Sequence, residues 1–294
     1  MRRDSEDPDQ IARRTLSRAL FPNHPYGRPT DGIEETVTRI KIADLKLFAA
    51  TRFARDNLVV SVVGDITAAK LAPLLDETFG KLPAHATPWT VAEVKPTVSG
   101  DVIVVNKNVP QSVIAFAKPG LKRHDPGFFP AYVMNYVLGG GGFSSRLYEE
   151  VREKRGLAYS AYSYLYPLDH AGMIVGGAGT RNAEAGETLK VISQVLKGMQ
   201  TKGVTAKELN DAKTFLTGSF PLRFNSSGRI AAMMTGIQLD HLGIDYWDRR
   251  NGLIRAVTLA QVNEQAKQLL DPKQMTTVVV GQPKGVTATR TITN

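Results

Sequence analysis

The chain repeats itself in phase. Ile42-Ala43-Asp44-Leu45 aligns with Leu259-Ala260-Gln261-Val262, and Leu58-Val59-Val60-Ser61-Val62-Val63-Gly64 aligns with Met275-Thr276-Thr277-Val278-Val279-Val280-Gly281, both at an offset of 217 residues with no gap. So long a period marks a duplicated domain rather than a solenoid. Each copy reads as a helix, then an apolar strand of the kind buried inside a sheet, then glycine. The expected fold class is α+β, built from two homologous domains. The second copy has about 150 residues ahead of its repeat unit and the first only about 40, so the first domain is expected to lack its beginning.

Local signals fill in the elements. Asp7 or Asp9 caps a helix over 7–20, with Pro8 in its first turn and Ile11, Leu16 and Leu20 along one stripe. Phe21 to Pro29 is a loop punctuated by proline and glycine. Helices are expected at about 43–55, with Leu45, Phe48, Ala49 and Phe53 on one face, and at about 68–80 behind Thr67, with Leu71, Leu74, Leu75 and Phe79 facing the core. Strand 58–64 lies between them. Residues 82–100 hold three prolines and little periodicity, which reads as a linker. Beyond it come strands at 102–106 and 112–117, a helix at about 127–138, strands near 157–164 and 171–178, and a helix over 182–200. Thr205-Ala206-Lys207-Glu208 and Thr258-Leu259-Ala260-Gln261 are capping boxes that open further helices, with two more between them. Strand 275–281 and a polar tail end the chain. The organisation expected is 1–82, first domain; 83–100, linker; 101–283, complete second domain; 284–294, tail.

Gly139 to Tyr166 concentrates the chemistry. Four consecutive glycines, Gly139, Gly140, Gly141 and Gly142, are expected to break the chain as a loop. Ser144 or Ser145 then caps a short helix, with Leu147 and Val151 on one side, and Gly156 stops it. A tyrosine-rich strand follows. Arg152 near the helix end and Tyr159 near the strand start are seven residues apart across one turn, a spacing that aims a guanidinium and a phenol into one space.

This stretch resembles the second-half signature of the insulinase/pitrilysin family of zinc metallopeptidases, the inverzincins, in the version of its bacterial, mitochondrial-processing-peptidase-like branch. Asp-Pro-Asp at 7–9 and Phe-Pro-Asn-His-Pro-Tyr-Gly at 21–27 resemble the segment that follows the zinc site there, so the likeness runs from about residue 5 to 283. It implies a clamshell of two homologous α/β-sandwich domains, each a mixed sheet plus helices, with the zinc site in the first. It also implies that Arg152 and Tyr159 project into the chamber and contact the substrate backbone near the scissile bond.

Hydrolysis in such a family needs zinc held by histidine and carboxylate, from an H-x-x-E-H pattern on one helical face. The five histidines here, His24, His85, His124, His170 and His241, are too far apart for it. No metal ligand and no catalytic residue is therefore expected in this chain, and no cofactor bound by it; zinc belongs to the complete enzyme. The resemblance implies the substrate-gripping, C-terminal portion of a zinc-dependent peptidase, not active alone. Two accounts stay open: a fragment of a longer peptidase, or a natural non-catalytic subunit in a homo- or hetero-oligomer with a chain bearing the zinc motif. A peptide-binding protein with no hydrolytic role is the alternative.

Residues 1–98 carry 14 Lys and Arg against 13 Asp and Glu, and the remainder 23 against 15. The basic second half suits acidic ligands or peptides. Nucleic acid is not an expected partner, because the densest basic cluster, Arg152-Glu153-Lys154-Arg155, is interrupted by an acid. No apolar run nears the ~18 residues of a membrane span, and no apolar segment follows the arginines at 2 and 3 as a signal peptide requires. The chain has no cysteine, which suits a soluble protein of a bacterial cytoplasm or periplasm alike and leaves the compartment unknown.

Overall fold

The computed structural model describes residues 6–293. In chain order its main elements are α1 (Pro8–Leu20), α2 (Ile42–Arg52), α3 (Ala68–Phe79), β1 (Val102–Asn106), β2 (Gln111–Pro119), α4 (Phe128–Asn135), α5 (Arg146–Tyr148), β3 (Ala158–Leu168), β4 (Ala171–Arg181), α6 (Ala185–Lys202), α7 (Ala206–Gly218), α8 (Ser227–Leu239), α9 (Tyr246–Ala256), α10 (Leu259–Leu269), β5 (Thr276–Gly281) and β6 (Arg290–Thr293). Their starts follow the capping chemistry. Asp7 accepts from the Asp9 N–H at 2.9 Å, and Thr258 and Gln261 cap reciprocally at the head of α10.

The contacts divide the chain into two compact units. The larger holds the chain up to Gly32, Ala92–Phe215 and the chain from Leu253 on. Its centre is a mixed six-stranded sheet in the order β3-β4-β2-β5-β1-β6. β1 runs parallel to both β5 and β6, and the other pairs are antiparallel. α1 packs on this sheet. Its Ala12, Leu16 and Leu20, with Phe21, share one core cluster with Ile103, Val105, Ala117, Met173, Val278 and Val280. α10 packs on α4 and on α6, which in turn pack on the strands; Leu196, Met199, Val262 and Ala266 are buried. The polar tail adds β6 to the sheet beside β1, an edge strand that its composition does not announce.

The smaller unit comprises Ile33–Val91 and Leu216–Gly252. The strand expected at 58–64 is extended backbone with no ladder partner among the described residues, and Leu58, Val60 and Val62 stay 37–40% exposed. α2 and α3 bury no residue, so the faces expected to meet a core lack one here. The physical reason is visible in the repeat. β5, the counterpart of 58–63, lies between β1 and β2, whereas 58–63 has no neighbouring strand among the described residues.

The same offset explains how the units are composed. It carries Phe21 and Val278, which share the core cluster of the larger unit, onto Gln238 and Ser61, which hydrogen-bond at 3.0 Å in the smaller. A helix of each repeat copy thus packs with the strand of the other copy. A reading that follows sequence order places α1 with 1–82; the apolar stripe of α1 is instead buried on the sheet of the second copy.

Candidate functional site

The glycine run does not act as a loop throughout. α4 continues as a π-helical turn, Tyr136–Gly140, so Gly139 and Gly140 are helical; only Gly141 and Gly142 leave it, Gly142 at φ 57°. Gly139 is needed for close approach, since a Cβ there would run into the backbone nitrogen and hydroxyl of Ser163 on β3. Beside it, Asn135 and Ser163 hydrogen-bond reciprocally in a buried setting, Ser163 Oγ donating to Asn135 Oδ1 at 2.8 Å and Asn135 Nδ2 to the Ser163 carbonyl at 3.2 Å. The glycine run thus lets the helix lie against the tyrosine strand.

Neither serine caps α5 through its side chain. Ser144 and Ser145 hydroxyls donate back to the Gly141 and Gly142 carbonyls at 3.0 and 2.7 Å, pinning the turn before the helix. α5 is anchored at its start by Arg146, which makes a two-pronged bond to Glu208 at 2.7 Å on each arm and a third to the Gly203 carbonyl. It then widens into a second π-helical turn, Glu149–Glu153, which carries Arg152. Gly156, at φ 61°, donates to the Arg152 carbonyl at 2.8 Å, and Leu157 to the Val151 carbonyl at 3.0 Å. This left-handed glycine cap turns the chain directly into β3. Tyr159 then sits at an irregularity in the β3–β4 register, where Ala158 pairs with Thr180 and Ser160 with Gly179. Such a bulge re-aims a side chain out of strand alternation, and Tyr159 is 81% exposed.

The result brings Arg152 and Tyr159 together. The Arg152 guanidinium lies 4.5 Å from the Tyr159 ring centre and 4.9 Å from that of Tyr148, within cation–π distance of both. Tyr148 is a member that the sequence reading did not single out; its position four residues before Arg152 on one helix was the available signal. Burial pushes its phenol up from its ordinary value. The cations of this turn differ in their commitments. Lys154 bonds Glu150 and Glu149, and Arg155 bonds Glu150 at 2.6 Å. Among the described residues, the one carboxylate paired with Arg152 is Glu153, at 3.9 Å and beyond hydrogen-bond reach.

β3 is an edge strand, paired with β4 and with no second strand among the described residues; along it, the Ser163 carbonyl accepts from Asn135. β1, the other strand that the sequence reading offered for peptide pairing, is flanked by β5 and β6 and has no free edge.

The described residues do not fit a zinc site. No group of three or more His, Cys, Asp or Glu among them is placed to hold a metal. His24 is buried with both nitrogens committed, Nε2 to the Ala92 carbonyl at 3.0 Å and Nδ1 to the Tyr26 N–H at 3.2 Å; His85 pairs with Asp56 and His170 with Glu93. No helix among the described residues is long and apolar enough to cross a membrane.

The chain is similar to several known proteins. The chain is 29% identical over 262 residues to a Bacillus subtilis protein named as the uncharacterized zinc protease YmxG, covering 89% of this chain and 63% of that protein. It is 30% identical over 283 residues to the Helicobacter pylori protein named as a non-peptidase homolog, YmxG, covering 95% of this chain and 64% of that one. The chain thus spans less than two thirds of the length of these relatives. A crystal structure described as the peptidase M16 inactive domain from Pseudomonas fluorescens superposes with a TM-score of 0.86 at 29% identity, over 98% of this chain and 68% of that one. Residues 39–216, more than half of the chain, match the family described as the peptidase M16 inactive domain. The chain belongs to the M16 peptidase family, and the matched region is of its inactive-domain type.

Proposed function

We propose that this chain is the substrate-gripping portion of a zinc-dependent M16 peptidase, and that it holds an extended peptide along the outer edge of β3. The observation that carries the reading is the state of Arg152. Unlike Arg155, it is hydrogen-bonded to no carboxylate among the described residues, and it lies within cation–π distance of two rings at the start of the edge strand. An extended peptide adds to such an edge through main-chain hydrogen bonds. Arg152 then donates N–H groups to a peptide carbonyl, and the Tyr159 hydroxyl donates to the same region. Donors fixed in advance stabilise negative charge that develops on a carbonyl oxygen. Bond cleavage needs a metal and a general base, and this reading assigns both to polypeptide other than these 294 residues.

The test uses an active assembly that contains this chain. Arg152→Ala and Tyr159→Phe are each expected to lower turnover by tenfold or more, with circular dichroism and melting unchanged. Wild-type rates in both variants refute the assignment.

The second reading, a peptide-binding protein without hydrolysis, is favoured by the name of the Helicobacter pylori relative and by the committed histidines. It requires that peptide binding be indifferent to chelator and that no pairing with a zinc-bearing chain yield cleavage.

A further inference from the structure

A cavity lies at the other end of β3 from Tyr159. α1, the loop that follows it and the end of the strand enclose about 430 Å³. Its buried members, Phe21 and Met173, are apolar. Its exposed members include Arg13 and Arg28, with Arg14 half-buried beside them. Against three guanidiniums stands one carboxylate, Asp31, 3.7 Å from Arg14 and outside hydrogen-bond reach. Arg13 and Arg28 have no ion-pair partner among the described residues. Tyr166 opens onto the cavity and ends a row of rings on β3. Tyr162 and Tyr164 stack at 6.2 Å, and Tyr166 meets Tyr164 edge-on at 6.2 Å. From Tyr159 to Tyr166 the strand spans roughly 23 Å at about 3.3 Å per residue.

We propose that this cavity binds a carboxylate of the peptide laid along β3, either an acidic side chain or the free C-terminus, about seven residues from the bond held at Arg152. The proposal rests on the edge-binding reading above. Its chemistry is a match of fork to carboxylate. Guanidinium donates two parallel N–H bonds to the two oxygens, and the apolar floor takes the aliphatic stem of Asp or Glu. A cationic side chain is disfavoured there by the same charges.

The experiment uses the full 294-residue chain and fluorescence anisotropy with labelled, amide-capped neutral decapeptides. One arm replaces a single Gln by Glu at each position in turn; the other frees the C-terminal carboxylate. At least one acidic peptide is expected to bind about tenfold more tightly than its neutral parent, equivalent to about 1.4 kcal/mol. The double variant Arg13→Gln/Arg28→Gln removes that preference and leaves the neutral affinity unchanged, while Arg152→Ala weakens neutral and acidic peptides by one common factor. The arm in which the preference appears identifies the source of the carboxylate. Neutral peptides bound with no acid preference overturn the cavity proposal and leave edge binding standing. Acidic peptides bound without any neutral binding keep the cavity and overturn the edge. No binding of either kind overturns both.

Discussion

Glu208 is where acid should first loosen the candidate site. Its carboxylate accepts two bonds from Arg146 and two more from the Thr205 N–H and hydroxyl, each at 2.7–2.8 Å. Burial acts to raise this carboxyl, and the bonds from Arg146 and Thr205 overcome it, holding it down at about 2 against an ordinary 4.5. Each tenfold in proton affinity is worth about 1.4 kcal/mol, so the depression represents roughly 3 kcal/mol. The side chains are 24% and 29% exposed, and solvent screening brings the figure to about 2 kcal/mol. A carboxyl whose folded value lies below its unfolded one stabilises at pH above the unfolded value and loses that contribution as pH falls through the folded one. The window is therefore from about 4.5 down to about 2. Glu208→Gln keeps the shape and removes the charge. The assay cannot be tryptophan fluorescence, because Trp89 and Trp247 both belong to the smaller unit while Arg146 and Glu208 belong to the larger. Hydrogen exchange over residues 145–157, compared between wild type and Glu208→Gln at a series of pH values, reads the anchored helix directly. Opening is expected to be easier in the variant by about 2 kcal/mol near pH 7, with the gap shrinking as pH falls below about 4.5 and closing near 2. A gap that stays constant with pH refutes the reasoning, since the ion pair would then contribute nothing beyond packing.

The remaining expectations test the other supports. Gly139→Ala should cost about 2–4 kcal/mol, since the new Cβ meets strand backbone that cannot yield; urea unfolding followed by circular dichroism measures it. Ser163→Ala strips Asn135 of one buried partner and should cost about 1–3 kcal/mol by the same assay. Leu45 and Val262 occupy one position of the repeat, yet Leu45 is 59% exposed and Val262 fully buried. Val262→Ala should therefore cost about 1–2 kcal/mol and Leu45→Ala almost nothing in this chain, and equal costs would show that Leu45 is covered.

Much of this was legible from local chemistry. The capping residues announce where α1, α3, α7 and α10 begin, and Gly156 announces the turn that sets Arg152 against Tyr159. What local chemistry could not supply was partnership. Residues 58–63 have the composition of a buried strand, but a ladder needs a neighbour, and composition does not say whether one is present. α1 has an apolar stripe, but the stripe does not name the surface that covers it; the answer lies across the duplication, on β5 and its neighbours. The Gly139–Gly142 run reads as a break because glycine is a poor helix former. It is helical at Gly139 and Gly140 because close packing on Ser163, which is long-range, outweighs that local preference. Tyr148, four residues before Arg152, joins the site through a ring contact that also depends on the Arg152 rotamer.

The three supports of the site also argue for what Arg152 is free to do. The segment is held at its start by Arg146 on Glu208, on its flank by Asn135 and Ser163, and at its end by the Gly156 cap on the Arg152 carbonyl. All three fix the backbone that carries Arg152, and none uses its guanidinium. Lys154 and Arg155, two and three residues on, spend their charges on Glu149 and Glu150 and so stabilise the turn itself. A charged group on an over-determined backbone, beside two rings and hydrogen-bonded to no carboxylate among the described residues, contributes little to folding: its cation–π contacts are worth about 0.5–1 kcal/mol at an exposed site. Arg152→Ala should therefore leave stability within about 1 kcal/mol of wild type, whereas Arg155→Ala, which breaks a 2.6 Å ion pair and a bond to the Glu150 carbonyl, loosens the turn. That contrast separates a residue kept for a ligand from a residue kept for the fold, and it can be measured on this chain without any knowledge of the substrate.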